Sequence, residues 1–413
     1  MSGTGRHRER HDGAGAMTGT GGADRQNEAP TPNDRLPMLE IDLACKWMLA
    51  GEYAVLSPGG MALAVAVRPG FVYHASPILE DAILEDAIPA GVENGEWVEA
   101  RSRAPDLPPP AEFTGDALVA VWRRGRSRRR RNALVGLRSN LQFVSPEVPG
   151  PRPGTSAALS LATVWAVDHW LGLGLSVEKR ISIARKAHAA TQRQGAPPPL
   201  AGAGSDPAAT AGEGTRGTGG SGYDVNTIGL GGVVLTRASA PSSPESRHAL
   251  PGIWLVAARA HKKTPTVYHL ALFDRAMSNP MFRRALTLHV RASNALVRWL
   301  WGHAGAERTP DFAELAARVD SAEQTLRQLS RVGRLGVFSR EVQALLAVAR
   351  KAGLPARVSG GGRGDAVVAF APDGEVAERL SAGFAARGWS ARVLPPDSPC
   401  GGPETLVVSD PAM

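Results

Sequence analysis

A glycine-rich segment near the C-terminus has the residue types and spacing that most clearly suggest chemistry. It spans Ser359–Asp365, contains four glycines, and lies between two short runs of β-type residues at 356–358 and 366–370. Glycine adopts positive φ without strain and lets the backbone approach a ligand closely. A strand–loop–strand unit of this kind can direct several backbone N–H groups at one anion. The segment therefore predicts a site for a phosphate-bearing substrate, although glycine-rich turns also join plain hairpins.

Three other segments contain charged or hydroxyl side chains that bear on the glycine loop. Lys46 begins an apolar run that continues to Leu56, and Asp224 follows a Gly-Ser-Gly-Tyr sequence. Thr155 and Ser156 are good N-cap residues at the start of a predicted helix, whose free N–H groups and dipole could face an anion.

The elements that must position these residues follow from the apolar periodicity. Residues 41–67 predict two strands around a turn at Gly59-Gly60, and Ser176 can cap a helix that follows the one at Thr155. The last third predicts two helices, two strands around the glycine loop, a helix and a strand, at 311–329, 339–351, 356–358, 366–370, 375–387 and 390–394. This order is typical of a ferredoxin-like α+β layer.

The composition favours a globular protein with two domains. A chain of 413 residues is too long for a single small core, and no apolar run approaches the roughly 18 residues needed to cross a bilayer. Residues 1–37 lack the apolar core of a secretory signal, and we expect them to form a disordered tail. The two cysteines, Cys45 and Cys400, argue against a disulfide framework, exclude a metal cluster on count, and fit a reducing cytoplasm.

The net charge of +8 comes in large part from the run Arg123–Arg131. Such a run could bind nucleic acid or an acidic surface. No nucleic-acid fold motif accompanies it, so we interpret it as a solvated basic loop. The excess positive charge could also favour anionic substrates by steering.

Taken together, these motifs resemble those of the GHMP kinases, the superfamily of galactokinase, homoserine kinase, mevalonate kinase and phosphomevalonate kinase. Lys46–Leu56 resembles the superfamily's N-terminal signature, and Ser359–Asp365 resembles its third motif. The Gly-Ser-Gly-Tyr-Asp sequence that ends at Asp224 is most similar to the phosphomevalonate kinase branch. The same holds for Ala187-His188 with Gln192, and for residues 261–266.

The resemblance implies an α+β protein with the two-domain GHMP kinase fold. The N-terminal domain, over residues 38–245, would be an α/β domain similar to ribosomal protein S5. It would contain the ATP site and a flexible insertion at 193–219. A ferredoxin-like C-terminal domain would cover residues 246–413.

The resemblance also implies a function: an ATP-dependent phosphomevalonate kinase that uses Mg2+. Such an enzyme phosphorylates (R)-5-phosphomevalonate to (R)-5-diphosphomevalonate in the mevalonate route to isoprenoids. Its partners would be small molecules rather than a membrane or a nucleic acid, and its location would be the cytoplasm. Catalytic roles fall to Lys46 and Asp224, and the metal-binding hydroxyl to Ser156. The implied ATP-binding residues are Gly154, Thr155, Ser156, Ala157, Gly360, Gly361 and Gly362. The implied substrate-binding residues are Lys46, Ser221, Gly222, Tyr223, Lys263, Thr264 and Gly361.

The chain departs from the superfamily's pattern at several points. Its phosphate loop has Arg152 and Pro153 where Gly-Leu is usual, and a proline removes one N–H donor. The insertion that precedes Asp224 is long, and His188 stands where mevalonate kinases carry a metal-supporting carboxylate. Two alternatives therefore stay open. One is another GHMP enzyme, either mevalonate kinase or diphosphomevalonate decarboxylase, and the other is a catalytically weak GHMP-like binding protein.

Overall fold

The structure is a computed structural model that describes residues 37–78, 98–101, 111–122, 136–143, 153–194, 221–260, 266–360 and 366–408. Several sequence predictions fall outside these residues. They are the tail up to residue 36, the basic run Arg123–Arg131, residues 195–219 of the insertion, Arg152, Lys263, Thr264, Gly361 and Gly362. The domain boundary at 245/246 stays a prediction. No helix in the described ranges has the length and apolar character needed to cross a membrane.

Seven strands within the described residues form one antiparallel sheet around the long strand β2. They are β1 (Met38–Ala50), β2 (Met61–Ile78), β3 (Val98–Arg101), β4 (Gly136–Phe143), β5 (Val233–Arg237), β6 (Ala240–Arg247) and β11 (Glu404–Val408). The order is β11-β1-β2-β4-β3, with β5 paired to β2 and β6 paired to β5. β2 is long enough to pair with β1 along one edge, and with β5 and then β4 along the other.

The helices that pack on this sheet surround one helix that is buried on almost every face. They are α1 (Ala111–Trp122), α2 (Thr155–Leu171), α3 (Val177–Gln194) and α4 (Tyr223–Leu230). Every residue of α2 from Ala157 to Asp168 is buried. A helix that is apolar all round needs cover on all sides, and here β1, α1, α3 and α4 provide it. The first turn of α2 is therefore held in a fixed position beside β1.

A second, four-stranded antiparallel sheet forms the core of the C-terminal part. Its strands are β7 (Trp254–Arg259), β8 (Ala356–Val358), β9 (Ala366–Ala371) and β10 (Ser390–Leu394), in the order β10-β7-β9-β8. Its helices are α5 (Thr266–Ala276), α6 (Pro280–His303), α7 (Phe312–Gly333), α8 (Arg340–Lys351) and α9 (Gly374–Ala385). The side chains of Asp311 and Ser339 accept hydrogen bonds from the first-turn N–H groups of α7 and α8. The predicted succession of helices and strands around the glycine loop is confirmed.

Helix α6 joins the two sheets by polar contacts to the segment between β1 and β2. The Asn294 side chain accepts from the Met61 N–H at 3.0 Å and donates to the Gly59 carbonyl at 2.8 Å. His289, which is fully buried, has Nε2 2.7 Å from the carbonyl oxygen of Glu52. The Nδ1 atom of the same ring lies 3.1 Å from the Thr325 hydroxyl on α7. The residues that follow β1 are thus fixed to the C-terminal helices.

The buried imidazole of His289 predicts a measurable pH dependence of stability. Burial lowers the pKa of His289 from 6.5 to about 4. As the pH falls, His289 is therefore protonated in the unfolded chain before it is protonated in the folded protein. The free energy of unfolding consequently falls as the pH drops from 6.5 towards 4. We expect His289→Gln to reduce that slope by up to about 1.4 kcal/mol per pH unit.

Urea unfolding at pH 7.5, 6.5 and 5.5 measures the effect on His289→Gln. Replacement of the exposed His248 by glutamine is the matched control and should leave the slope unchanged. A His289→Gln protein with the wild-type slope would show that folding does not lower the pKa of this ring.

Candidate active site

Lys46 lies at the centre of the site, on β1, with its ammonium group almost excluded from solvent. Its Nζ is 2.6 Å from Asp224 Oδ1 and donates to the Tyr223 hydroxyl at 2.5 Å. The same atom lies 4.3 Å from the centroid of the Tyr223 ring. The Lys46 side chain is 8% exposed and that of Asp224 is 24% exposed. The cation is thus held by a carboxylate that still faces solvent.

The start of α4 places Asp224 and Tyr223 together. Gly222 is the N-cap, with φ of 69°, and a Cβ atom there would lie 2.4 Å from Cδ of Arg185. Only glycine combines this backbone with so close a neighbour. The Thr227 hydroxyl donates to the Tyr223 carbonyl at 2.7 Å, and the first turn of a helix favours a carboxylate such as Asp224.

The N-terminus of α2 lies directly against Lys46. Its N-cap is Gly154, with φ of 113°, which has no side chain to accept from the first-turn N–H groups. The prediction that Thr155 or Ser156 caps this helix is therefore wrong, because Gly154 occupies the N-cap. The N–H groups of the first turn stay available to an anion.

Pro153 and Gly154 both contact the strand that carries Lys46. The carbonyl of Pro153 accepts from the Lys46 N–H at 3.1 Å. A Cβ atom at Gly154 would lie 3.0 Å from Cδ1 of Ile228 and 3.2 Å from Cγ of Lys46. The proline lacks a donor, but its carbonyl fixes the start of α2 to β1.

Ser156 is paired with His188 on α3. The His188 Nε2 and Ser156 Oγ atoms are 3.1 Å apart, and the ring of Phe113 lies 5.1 Å from the imidazole. The pKa of His188 is lowered to about 4. Burial is the main cause and the Lys46 cation adds to it, whereas the Asp224 carboxylate opposes the shift. The ring is therefore neutral at pH 7. The described residues contain no cluster of three or more His, Cys, Asp or Glu side chains that could hold a metal.

The described start of the glycine loop also contacts β1. The Ser359 hydroxyl donates to the Met48 carbonyl at 2.8 Å, and the Ser359 N–H donates to the Ala366 carbonyl at 2.9 Å. Gly360 has φ of 97°, and open space lies where its Cβ would be. Of the predicted loop residues, Gly360 is therefore placed near β1, whereas Gly361 and Gly362 are outside the described part of the chain.

The structure brings Lys46, Tyr223, Asp224, Gly154 and Ser156 into one site. The predicted residues Thr155, Ser221 and Gly222 are half-buried beside it. Ala157 is fully buried, so it can offer a ligand only its backbone N–H.

The sequence predicted no role for Phe113, Glu52 or Arg357. The last two form an ion pair with no exposed surface. The signal for that pair was weak: a charged residue within each of two apolar runs.

Comparisons with known proteins agree with this architecture. Residues 307–388 match the family described as GHMP kinases C terminal. No curated protein sequence matches the chain. A Lin0012 protein from Listeria innocua is similar in structure with a TM-score of 0.64 and 16% identity, over 89% of this chain and 99% of that one.

Two solved kinases are similar over comparable lengths. The phosphomevalonate kinase of Streptococcus pneumoniae, in complex with phosphomevalonate and AMPPNP, has a TM-score of 0.59 and 15% identity, over 87% of this chain and 100% of that one. The mevalonate kinase of L. major, in complex with R-mevalonate, has a TM-score of 0.54 and 16% identity, over 87% and 96%. At these identities the likeness establishes the fold. Residues 307–388 thus form a GHMP kinase C-terminal domain, and the chain has the two-domain α+β fold of the GHMP kinase superfamily.

Proposed function

We propose that the protein is an ATP-dependent phosphomevalonate kinase, which transfers the γ-phosphoryl group of ATP to the phosphate of 5-phosphomevalonate. One observation carries the proposal: the Lys46–Asp224 ion pair of 2.6 Å lies beside the N-terminus of α2, whose N-cap is the glycine Gly154. Such a site offers a positive charge and free N–H groups to a polyphosphate. The fold shared with a phosphomevalonate kinase that binds AMPPNP supports the same assignment.

The residues present fit a nucleotide that brings its own Mg2+. Mg2+ usually keeps several waters and binds through few protein oxygens together with substrate phosphates. Ser156 would supply the protein oxygen, and its hydroxyl is already oriented by His188 at 3.1 Å. The bound ion would neutralise part of the charge on the phosphates, and the first-turn N–H groups of α2 would bind the remaining phosphate oxygens.

In the proposed reaction an oxygen of the acceptor phosphate forms a bond to the γ-phosphorus of ATP. The bond from that phosphorus to the β,γ-bridging oxygen breaks, and the electron pair leaves with ADP. Lys46 would neutralise charge on the migrating phosphoryl group, and the contacts of its ammonium group with Asp224 and Tyr223 support this role. Positioning and charge stabilisation supply most of the acceleration in reactions of this class.

The type of acceptor determines what Asp224 must do. An alcohol has a proton to lose, so a general base assists its attack. A phosphate monoester has a second pKa of about 6 and is largely ionised at pH 7. With such an acceptor, the main role of Asp224 is to orient Lys46, which agrees with the short contact between the two side chains.

An acceptor panel tests the assignment directly. We expect transfer from radiolabelled ATP to 5-phosphomevalonate, and much weaker transfer to mevalonate. Diphosphomevalonate should release no carbon dioxide. Preferred transfer to mevalonate, or release of carbon dioxide, would assign the chain to a different GHMP enzyme. The absence of transfer to every acceptor would favour a binding protein.

The role of Asp224 predicts an unusual pH dependence for Asp224→Asn. We expect this variant to reduce kcat less at pH 8 than at pH 6. At pH 6 much of the acceptor phosphate still holds a proton that Asp224 can accept, whereas at pH 8 the phosphate is already ionised and Asp224 only orients Lys46. Tyr223→Phe is the matched control, since it removes a Lys46 partner that is not a base and should reduce kcat equally at both pH values. An equal loss for Asp224→Asn at both pH values would contradict this division of roles.

The contact between Gly154 and Lys46 predicts a specific loss in Gly154→Ala. The new Cβ would press on Lys46 and Ile228 in addition to the cost of the positive φ, about 1–2 kcal/mol. Gly388→Ala shares a positive φ, 80°, but its Cβ would meet nothing within 4 Å. Calorimetry with Mg-ATP should show weaker binding for Gly154→Ala only, while urea unfolding shows a loss of stability for both. Equal Mg-ATP affinity in the two variants would contradict the proposed placement of the phosphates.

A further inference from the structure

A cleft of about 310 Å³ lies between helix α6 and one end of the seven-stranded sheet. Gly59 and Gly60, in the turn before β2, line it together with Ser239, in the turn between β5 and β6. Residues 297, 298 and 301 line it from the helix. Small-molecule sites usually have volumes of about 300–1,000 Å³. The cleft is therefore large enough for a small ligand.

The cleft is distant from Lys46 along β2. Met61, which lines the cleft, pairs with Arg237 on β5, whereas Lys46 pairs with Ala66. The step from Met61 to Ala66 spans about 17 Å of strand. The lining residues include none of those that the sequence predicts for ATP, substrate or metal. A ligand in the cleft would therefore occupy a second site.

Hydrogen bonds join the parts of the chain that form the cleft. Asn294 on α6 accepts from the Met61 N–H at 3.0 Å and donates to the Gly59 carbonyl at 2.8 Å. The Ala238 N–H donates to the Gly60 carbonyl at 2.9 Å, which joins the two turns. A site that is already formed costs a ligand less ordering free energy on binding.

Much of the lining is apolar. The side chains of Met61, Leu235 and Val297 are buried, and that of Trp301 is half-buried. The guanidinium carbon of Arg247 lies 4.2 Å from the centroid of the Trp301 ring, and its Nη1 donates to the Trp301 carbonyl at 2.6 Å. The indole is thus held in place, and an apolar group of a ligand could pack on it.

Two guanidinium groups line the same cleft, and only one of them has a carboxylate partner in the described part of the chain. Arg237 forms an ion pair with Glu245 on β6. Arg298 is exposed, and the 24 residues of α6 include no Asp or Glu. Two cations and one carboxylate leave one net positive charge. A single negative charge on a ligand would neutralise it.

We propose that this cleft binds a small amphipathic monocarboxylate, with its carboxylate at Arg298 and its apolar body on the buried part of the lining. A guanidinium group can bind a carboxylate through two parallel N–H donors. The exposed Ser239 hydroxyl would donate to the same group. A phosphate ester would bring close to two negative charges, more than the lining leaves unbalanced. The proposal goes beyond the kinase reaction and does not depend on it.

Hexanoate is a suitable probe, with hexanol and acetate as matched compounds that lack the charge or most of the apolar body. Ligand-detected NMR titrations of the full chain give the three dissociation constants. We expect hexanoate to bind about tenfold more tightly than either matched compound. An excess of Mg-ATP should leave hexanoate bound. Equal affinity for hexanoate and either matched compound, or displacement of hexanoate by Mg-ATP, would overturn the proposal.

Arg298→Gln tests the placement of the carboxylate. This variant should bind hexanoate about tenfold more weakly, because it loses hydrogen bonds from a charged donor. Arg291→Gln is the matched control, since Arg291 is also exposed on α6, two turns earlier, and does not line the cleft. It should bind hexanoate as the wild type does. Equal affinity in the two variants would overturn the proposal.

Glu245→Gln predicts a gain of affinity. Removal of this carboxylate frees Arg237 and raises the net charge of the lining, so hexanoate should bind about two- to fivefold more tightly. Glu375→Gln is the matched control, because Glu375 is also an exposed carboxylate paired with an arginine, Arg379, and it does not line the cleft. It should leave the affinity unchanged. An unchanged or lower affinity in Glu245→Gln would overturn the proposal.

Discussion

The burial of a lysine ammonium group is the constraint on which the rest of this site depends. Lys46 is only 6% exposed when the whole residue is counted. A cation that is so deeply buried requires a counter-charge and hydrogen-bond partners. Asp224 and Tyr223 supply both from the first turn of α4. The ion pair therefore determines where α4 begins relative to β1. The same ion pair requires the backbone at the start of α2 and at the start of α4 to lie close to their neighbours.

That approach requires glycine where α2 and α4 begin. Gly154 lies against the Lys46 stem and Gly222 lies against Arg185, and both have positive φ. Because Gly154 has no side chain, this N-cap residue accepts no side-chain hydrogen bond from the first-turn N–H groups of α2. The same residue that permits close packing thus leaves these N–H groups to the phosphates of the proposed nucleotide. Local packing and the proposed phosphate binding have one physical cause.

The sequence predicted those elements whose signals are local. The amphipathic pattern of α7 and α8, the caps at Asp311 and Ser339, and the strands around the glycine loop are confirmed. Capping by Thr155 or Ser156 was wrong, because propensity favours a hydroxyl there whereas packing on Lys46 requires Gly154 as the N-cap. The Glu52–Arg357 pair could not be predicted. The two residues are 305 positions apart, and no periodicity links a buried charge to its partner.

The neutral imidazole beside Ser156 bears on the choice of acceptor. In the proposed reaction a phosphate acceptor brings close to two negative charges to a site that also binds the polyphosphate of ATP, and each further negative charge nearby is unfavourable. A carboxylate at position 188 would add one. His188 adds none at pH 7, since its pKa is lowered to about 4, yet its Nε2 still lies within hydrogen-bond distance of the Ser156 hydroxyl. The site therefore keeps that serine oriented without an anion, a charge balance that is compatible with the phosphate acceptor proposed above.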